Sequence, residues 1–68
     1  MDELIFVVEE AQEGGYTARA LGAPIFTEAG DLESLAEMVR DAVICHYDEA
    51  DRPHVIRLHH VHDELIPL

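Results

Sequence analysis

Two histidines of this sequence have the spacing of neighbouring side chains on one face of a strand. His60 and His62 are two residues apart, and Asp63 follows directly. Side chains alternate between the faces of a strand, so both imidazoles would point to one side and His59 to the other. Two imidazoles can begin a zinc, nickel or copper site, but a closed site needs three or four ligands. No third ligand is evident, so we expect no resident metal and interpret the pair as a polar strand end.

Nucleophilic and phosphate-binding patterns are absent from the sequence. Ser34 lies outside any GxSxG elbow, and the side chains of Cys45 and His46 diverge as helical neighbours. The single cysteine excludes an internal disulfide framework, and we expect its thiol to be buried. Gly14 and Gly15 belong to neither a GxxxxGK[ST] nor a GxGxxG pattern, which makes them a turn. We therefore expect no enzyme activity and no cofactor.

The charge of the chain is strongly one-sided. Fifteen Asp and Glu residues stand against four Arg and no Lys, for a net charge of -11. Direct nucleic-acid binding is disfavoured, because neutralising phosphates requires clustered cations. An acidic surface suits a basic protein partner or serves solubility. The candidate partner-binding residues recur along one side of a predicted helix; they are Glu33, Glu37, Arg40 and Asp41.

Short β-rich stretches dominate the first half of the chain. Residues 3–9, ELIFVVE, are rich in branched and aromatic side chains and predict a first strand. The glycine pair supplies the positive φ of a return loop, so residues 16–21 predict the second strand of a hairpin. Gly22 and Pro24 then break that strand, and residues 25–27 predict a short third one.

One helix and one more strand follow. Asp31 is a good N-cap for a helix over residues 32–47. Residues 55–61 predict the last strand after Pro53. Apolar residues at spacings of three and four form the predicted packing face of the helix; they are Leu32, Leu35, Ala36, Val39, Ala42, Val43 and Tyr47.

The element order is therefore β-β-β-α-β in a single domain over residues 1–68. A right-handed crossover would place the fourth strand beside and parallel to the first, giving the sheet order 3-2-1-4. The predicted fold is a two-layer α+β sandwich with one helix packed on a mostly antiparallel four-stranded sheet. One sheet face has no helix to cover it, so we expect a dimer or a larger homo-oligomer. With no leader or membrane span in the sequence, we expect a cytoplasmic protein.

The stretches EGGYTARAL (13–21) and IFTEAGDLESLAEMVRDAV (25–43) carry a family likeness. The chain resembles the HicB antitoxin family, whose pattern joins a Gly-Gly-aromatic hairpin, a T-x-G-D type turn and a helix of L-E-E-A character. The likeness covers about four fifths of the chain. The matching residues are Gly14, Gly15, Tyr16, Ala18, Thr27, Gly30, Asp31, Leu32, Glu33 and Ala42.

This resemblance implies a degraded ribonuclease H-like domain that masks HicA, a small basic toxin that cleaves messenger RNA. It implies no catalysis by this chain. Complete antitoxins usually add a C-terminal DNA-binding module, so we expect a stand-alone HicB-like domain of toxin–antitoxin type without that extension. The alternative is a homo-oligomeric protein that binds a small ligand or a metal on the side of the sheet that carries His60 and His62.

Overall fold

The structure is a computed structural model that describes residues 2–68; Met1, the first residue of the predicted domain, lies outside the described residues. Four strands and one helix follow each other in the predicted order. Their bounds are β1 Glu3–Glu10, β2 Tyr16–Ala20, β3 Phe26–Ala29, α1 Leu32–His46 and β4 Val55–His60.

The four strands form one sheet with the order β3-β2-β1-β4, as the sequence predicted. β1 pairs antiparallel with β2, where Phe6 lies opposite Ala20, and β2 pairs antiparallel with β3. On its other side β1 pairs parallel with β4, where Phe6 lies opposite Leu58. The α+β architecture with one helix on a mixed sheet is confirmed. β3 and β4 are the two edge strands.

Alternation along β1 builds one wall of the core. Leu4, Phe6 and Val8 are buried, whereas Ile5 and Val7, which point to the other face of the sheet, are half-buried. This two-residue period is expected of a strand whose one face packs against a helix. Burying the three side chains contributes about 1.5–3 kcal/mol each relative to exposure.

The helix α1 forms where its caps and its apolar period agree. The Asp31 carboxylate accepts the N–H of Ser34 at 2.7 Å, which satisfies one of the unpaired donors of the first turn. Leu35, Val39 and Val43 are its buried side chains. The helix ends at His46 with Tyr47 as the C-cap, one residue earlier than predicted.

The helix does not lie centrally over the sheet but packs mainly on β3 and β2. Ala36 and Ala42 lie on opposite flanks of its buried stripe, and Ala42 is half-buried while Ala36 is exposed. The prediction that Ala36 belongs to the packing face was therefore wrong. It was also wrong for Leu32, which is exposed at the start of the helix. Because the helix leans away from β4, Ile56 and Leu58 on that strand are only half-buried.

The third strand begins one residue later than predicted and runs two residues further. Ile25 is buried before the strand, where its N–H donates to the Ala23 carbonyl at 2.9 Å and its carbonyl accepts from Ala20. That turn-like geometry occupies the backbone of Ile25 before the strand ladder starts at Phe26. The pairing then continues to Ala29, opposite Tyr16.

The molecule is elongated, measuring 52 × 20 × 18 Å. An eight-residue strand spans only about 26 Å, so residues beyond the sheet account for much of the length. Residues 61–68 follow β4 without forming a helix or strand, and all of them are exposed. Within residues 2–68 no helix has the length and apolar character needed to cross a membrane.

Candidate interaction surface

The predicted partner-binding carboxylates lie together on the outer side of α1. Glu33, Glu37 and Asp41 are spaced by one helical turn and are all exposed. They face away from the buried stripe of Leu35, Val39 and Val43 and are called the acidic stripe below. Arg40 is also exposed and lies on the flank of the helix rather than within the stripe.

The ion pairs and histidine–carboxylate contacts found among residues 2–68 lie elsewhere, and none of them involves a carboxylate of the acidic stripe. Arg57 donates to the Glu3 carboxylate, Arg19 lies 4.0 Å from Glu9, and the imidazole Nδ1 atoms of His54 and His62 lie 3.5 and 3.7 Å from Asp2 and Glu10. These contacts join β1 to its two neighbouring strands and to the residues that flank them. The hydrogen bond from Arg57 holds the pKa of Glu3 below its usual value.

The sheet face opposite the helix is shielded by two of its own arginines. Arg19 lies opposite Val7 in the β1–β2 ladder, and Arg57 lies opposite Ile5 in the β1–β4 ladder. The aliphatic stem of an arginine can cover apolar surface while its guanidinium stays in water. Both apolar residues of β1 are accordingly half-buried. At the β3 edge Phe26 keeps 62% of its surface exposed.

The candidate metal ligands lie on the side of the sheet that faces the helix. His60 lies opposite Val8, and His59 lies opposite Val7 on the other face, which is the alternation that the sequence predicted. His62 follows the strand, and its Nδ1 atom approaches Oε1 of Glu10. Among residues 2–68 no three His, Cys, Asp or Glu side chains are grouped so that they could hold a metal ion.

Cys45 is exposed, so the prediction of a buried thiol was wrong. It lies on the flank of α1 that is turned partly away from the sheet, on the same side as the exposed Met38. Together with Phe26, Ala42 and His46 it lines a shallow groove beside the start of β3. The signal for burial was only the general tendency of cysteine, which the position of Cys45 on the helix, away from the buried stripe, overrides.

The glycine pair is the hairpin turn that the sequence indicated. Gly14 and Gly15 have φ values of +99° and +80°. The Ala11 carbonyl accepts the N–H of Gly14, and the Gly15 carbonyl accepts the N–H of Ala11, both at 3.0 Å. The N–H groups of Ala11 and Gly14 and the carbonyls of Ala11 and Gly15 are thus hydrogen-bonded within the turn itself.

One surface that sequence reasoning did not single out follows β4. Leu65 and Ile66 are 92% and 75% exposed, and Leu68 is fully exposed. The sequence does contain a signal for this exposure. Three of the last four residues are apolar, but they show no helical or alternating pattern that would bury them against this sheet.

Comparison with known proteins gives two relatives whose printed description is UPF0150 protein. One, from Archaeoglobus fulgidus, is 62% identical over 53 residues, which span 78% of this chain and 79% of the relative. The other, from Thermotoga maritima, is 43% identical over 47 residues, spanning 69% of this chain and 67% of the relative. No family model matches the chain. No solved structure matches it significantly.

Proposed function

Because the chain belongs to the UPF0150 family, we propose that it is a HicB-like interaction domain that binds and masks a small basic RNA-cleaving toxin. The domain acts without catalysis: it covers a cationic surface that the toxin needs for its RNA. The HicB-like hairpin, turn and helix residues of the sequence support the proposal, because they lie in one contiguous β-β-β-α unit.

The observation that carries the proposal is the acidic stripe. Its three carboxylates are exposed, and no ion pair found within residues 2–68 involves them. Like charges four residues apart on a helix repel each other mildly, so the stripe does not stabilise the isolated helix. A cationic partner would relieve that repulsion and gain charge-assisted contacts.

The scaffold presents the stripe rigidly. α1 is capped by Asp31 and held on the sheet by three buried side chains of its opposite side, Leu35, Val39 and Val43. Carboxylates on a rigid element lose less conformational freedom on binding than carboxylates on a loop. The net charge of the chain adds a long-range attraction that speeds encounter with a basic protein.

Self-association is the second part of the proposal. A 68-residue chain buries only about 60% of the surface that its unfolded form exposes, and its core is correspondingly thin. The helix covers part of one face of the sheet, and both edge strands are open. Each of these features favours a dimer or a larger homo-oligomer.

The test is affinity capture of the chain from its native cells, followed by mass spectrometry. The expected result is one small, basic protein that co-purifies with the chain and is encoded by a neighbouring gene. Separated from the chain, this protein should degrade RNA, and adding the chain back should stop the degradation. The toxin-masking role would be overturned if no basic protein is captured and if the chain does not reduce the toxicity of the neighbouring gene product.

A further inference from the structure

The charge of this acidic protein is reversed along one segment. Residues 52–62, RPHVIRLHHVH, contain two of the four arginines and four of the five histidines, and none of the fifteen carboxylates. This stretch, called the basic segment below, includes all of β4. Arg57, His54 and His62 already lie beside carboxylates of the same chain, whereas no such contact found within residues 2–68 involves His59 or His60. A partner for this edge is therefore expected to place a carboxylate beside these two imidazoles.

The outer edge of β4 offers unpaired backbone groups at known positions. The N–H groups of Val55 and Val61 point toward β1, since they donate to the carbonyls of Asp2 and Val8 at 3.0 and 2.8 Å. Backbone groups alternate in direction along a strand, so those of Ile56, Leu58 and His60 point away from β1 to the open edge. Such an edge is a template for another strand.

A complementary segment lies directly after the basic segment. Residues 63–68, DELIPL, begin with two carboxylates and continue with Leu65, Ile66 and Leu68, each of which has at least three quarters of its surface exposed to water. The length of the molecule shows that residues beyond the sheet project away from it. The carboxylates of residues 63–68 complement the cationic side chains of the basic segment, and their apolar side chains complement the half-buried Ile56 and Leu58.

We propose that β4 and residues 63–68 pair antiparallel with the same residues of a second copy, about a twofold axis at His62. Residues 63–68 of each copy then extend the sheet of the other as a fifth strand. This inference rests on the self-association in the proposed function and assigns it to one edge. The opposed pairs are His60 with Glu64, Leu58 with Ile66, and Ile56 with Leu68 of the second copy.

The register follows from geometry and chemistry together. A twofold axis perpendicular to the sheet places side chains of the same face opposite each other, so even-numbered residues meet even-numbered ones. Moving the pairing to the preceding allowed register would place Leu58 against the second copy's Glu64, a carboxylate against an apolar side chain on the helix side of the sheet. The chosen register makes one such pair, Val61 with the second copy's Asp63, but on the open face, where the carboxylate stays in water. In the chosen register an imidazole meets the carboxylate, and two apolar pairs form on the helix side.

Two independent features of the chain fit this arrangement. Pro67 is odd-numbered, so the N–H that it lacks would have pointed away from the second copy, where a proline in a strand costs least. Ile56 and Leu58 are only half-buried, because α1 leans toward β3. Ile66 and Leu68 of the second copy would cover them on that side.

The test measures self-association by sedimentation velocity over a range of micromolar concentrations, with circular dichroism as a check on the fold. Ile66→Asp should raise the dimer Kd at least about tenfold, because its carboxylate would lie against Leu58. Leu65→Asp is the matched control: its side chain points to the other face, opposite His59, and the Kd should stay within about threefold of wild type.

Exchanging the charges at positions 60 and 64 gives a second test of the register. Glu64→Arg should weaken the dimer, because the carboxylate that faces His60 is lost. Adding His60→Glu should restore the dimer, because a carboxylate then faces the new guanidinium. A dimer indifferent to Ile66→Asp and Glu64→Arg, or equally weakened by Leu65→Asp, would overturn the assigned edge while self-association stands. A wild-type monomer at all concentrations would overturn both, and neither result bears on toxin masking.

Discussion

Gly15 packs directly against the backbone of Ala29, so that a Cβ atom on Gly15 would lie 2.7 Å from the Ala29 carbonyl oxygen. This contact joins the β1–β2 turn to the end of β3. Gly14, its neighbour in the turn, has nothing within 4 Å of the equivalent position. Both glycines have positive φ, but only Gly15 has a close neighbour. Comparing the same substitution at the two positions therefore separates the cost of backbone strain from the cost of a steric clash.

Gly14→Ala should therefore lower the free energy of unfolding by about 1 kcal/mol, the cost of a left-handed residue with a Cβ. Gly15→Ala should lower it by at least about 2 kcal/mol, because the steric clash adds to that strain, and Gly15→Val should be no milder. Urea denaturation of the three variants checks the order. Equal losses for the two alanine variants would contradict the contact with Ala29.

Asp31 should make the stability of the fold depend on acid. The hydrogen bond from the Ser34 backbone N–H, followed by that from its hydroxyl, holds the pKa of Asp31 below its ordinary value of 3.8. The folded state therefore binds this proton less readily than the unfolded state. The stabilisation is complete above the unfolded pKa and is lost as the pH falls through the lowered folded pKa.

Asp31→Ala should lower the melting temperature at pH 7 and flatten its decline between about pH 5 and pH 3. Asp31→Asn is the control, since its amide oxygen can still cap the helix but does not titrate over this range. An alanine variant with an unchanged pH profile would show that the cap does not contribute this proton linkage.

Thr27 offers a stabilising substitution. Its side chain is buried on the helix side of β3, and its hydroxyl has no hydrogen-bond partner among the described residues. Replacing an unsatisfied buried hydroxyl by a methyl group of similar shape should raise the free energy of unfolding by about 1 kcal/mol. Thr27→Val is therefore expected to melt at a higher temperature than Thr27→Ser, which keeps the hydroxyl. A Thr27→Val variant less stable than wild type would mean that the Thr27 hydroxyl has a hydrogen-bond partner in the folded protein.

The acidic stripe should set the rate of encounter with a small basic toxin of HicA type. Glu33→Lys with Glu37→Lys should slow association and weaken binding without loss of the fold. Association should also slow between low and physiological salt, as the Debye length falls from about 30 to 8 Å. Stopped-flow fluorescence with the purified toxin measures both effects.

The matched control is Asp48→Lys with Glu49→Lys, which changes the net charge equally on the exposed loop after α1. It should slow association less than the stripe variant, because the stripe is expected to contact the toxin directly. If the two variants behave alike, only the net charge matters and the stripe is not the interface.

The histidines are expected to hold no stoichiometric metal. Two imidazoles without a third ligand bind zinc or nickel weakly and exchangeably. Elemental analysis of the chain purified without added metal, beside His60→Ala with His62→Ala, should give the same substoichiometric content. One zinc or nickel per chain in wild type, lost in the double variant, would support the alternative function.

The elements and their order could be predicted because their signals are local. The β-branched run of β1, the glycines at the turn and the Asp31 cap each act over a few residues, and one handedness rule then orders the strands. The acidic stripe was equally predictable, since the helical period alone brings Glu33, Glu37 and Asp41 to one side.

Lateral packing was not predictable from the sequence. Ala36 and Ala42 have the same side chain and equivalent places beside the buried stripe, and only the lean of α1 toward β3 exposes one and half-buries the other. The same lean leaves Ile56 and Leu58 half-buried. Helical periodicity assigns a residue to a side of the helix but carries no information on where the helix axis lies over the sheet.

The sequence by itself determined the strands, the helix, their order and the excess of negative charge, because propensity, capping and periodicity are properties of neighbouring residues. Only the tertiary structure decided that Arg19 and Arg57 lie across the open face, opposite Val7 and Ile5, and that the helix leaves Ile56 and Leu58 of β4 half-buried. Those relationships depend on strand register and on contacts between residues distant in the chain, which local patterns do not encode.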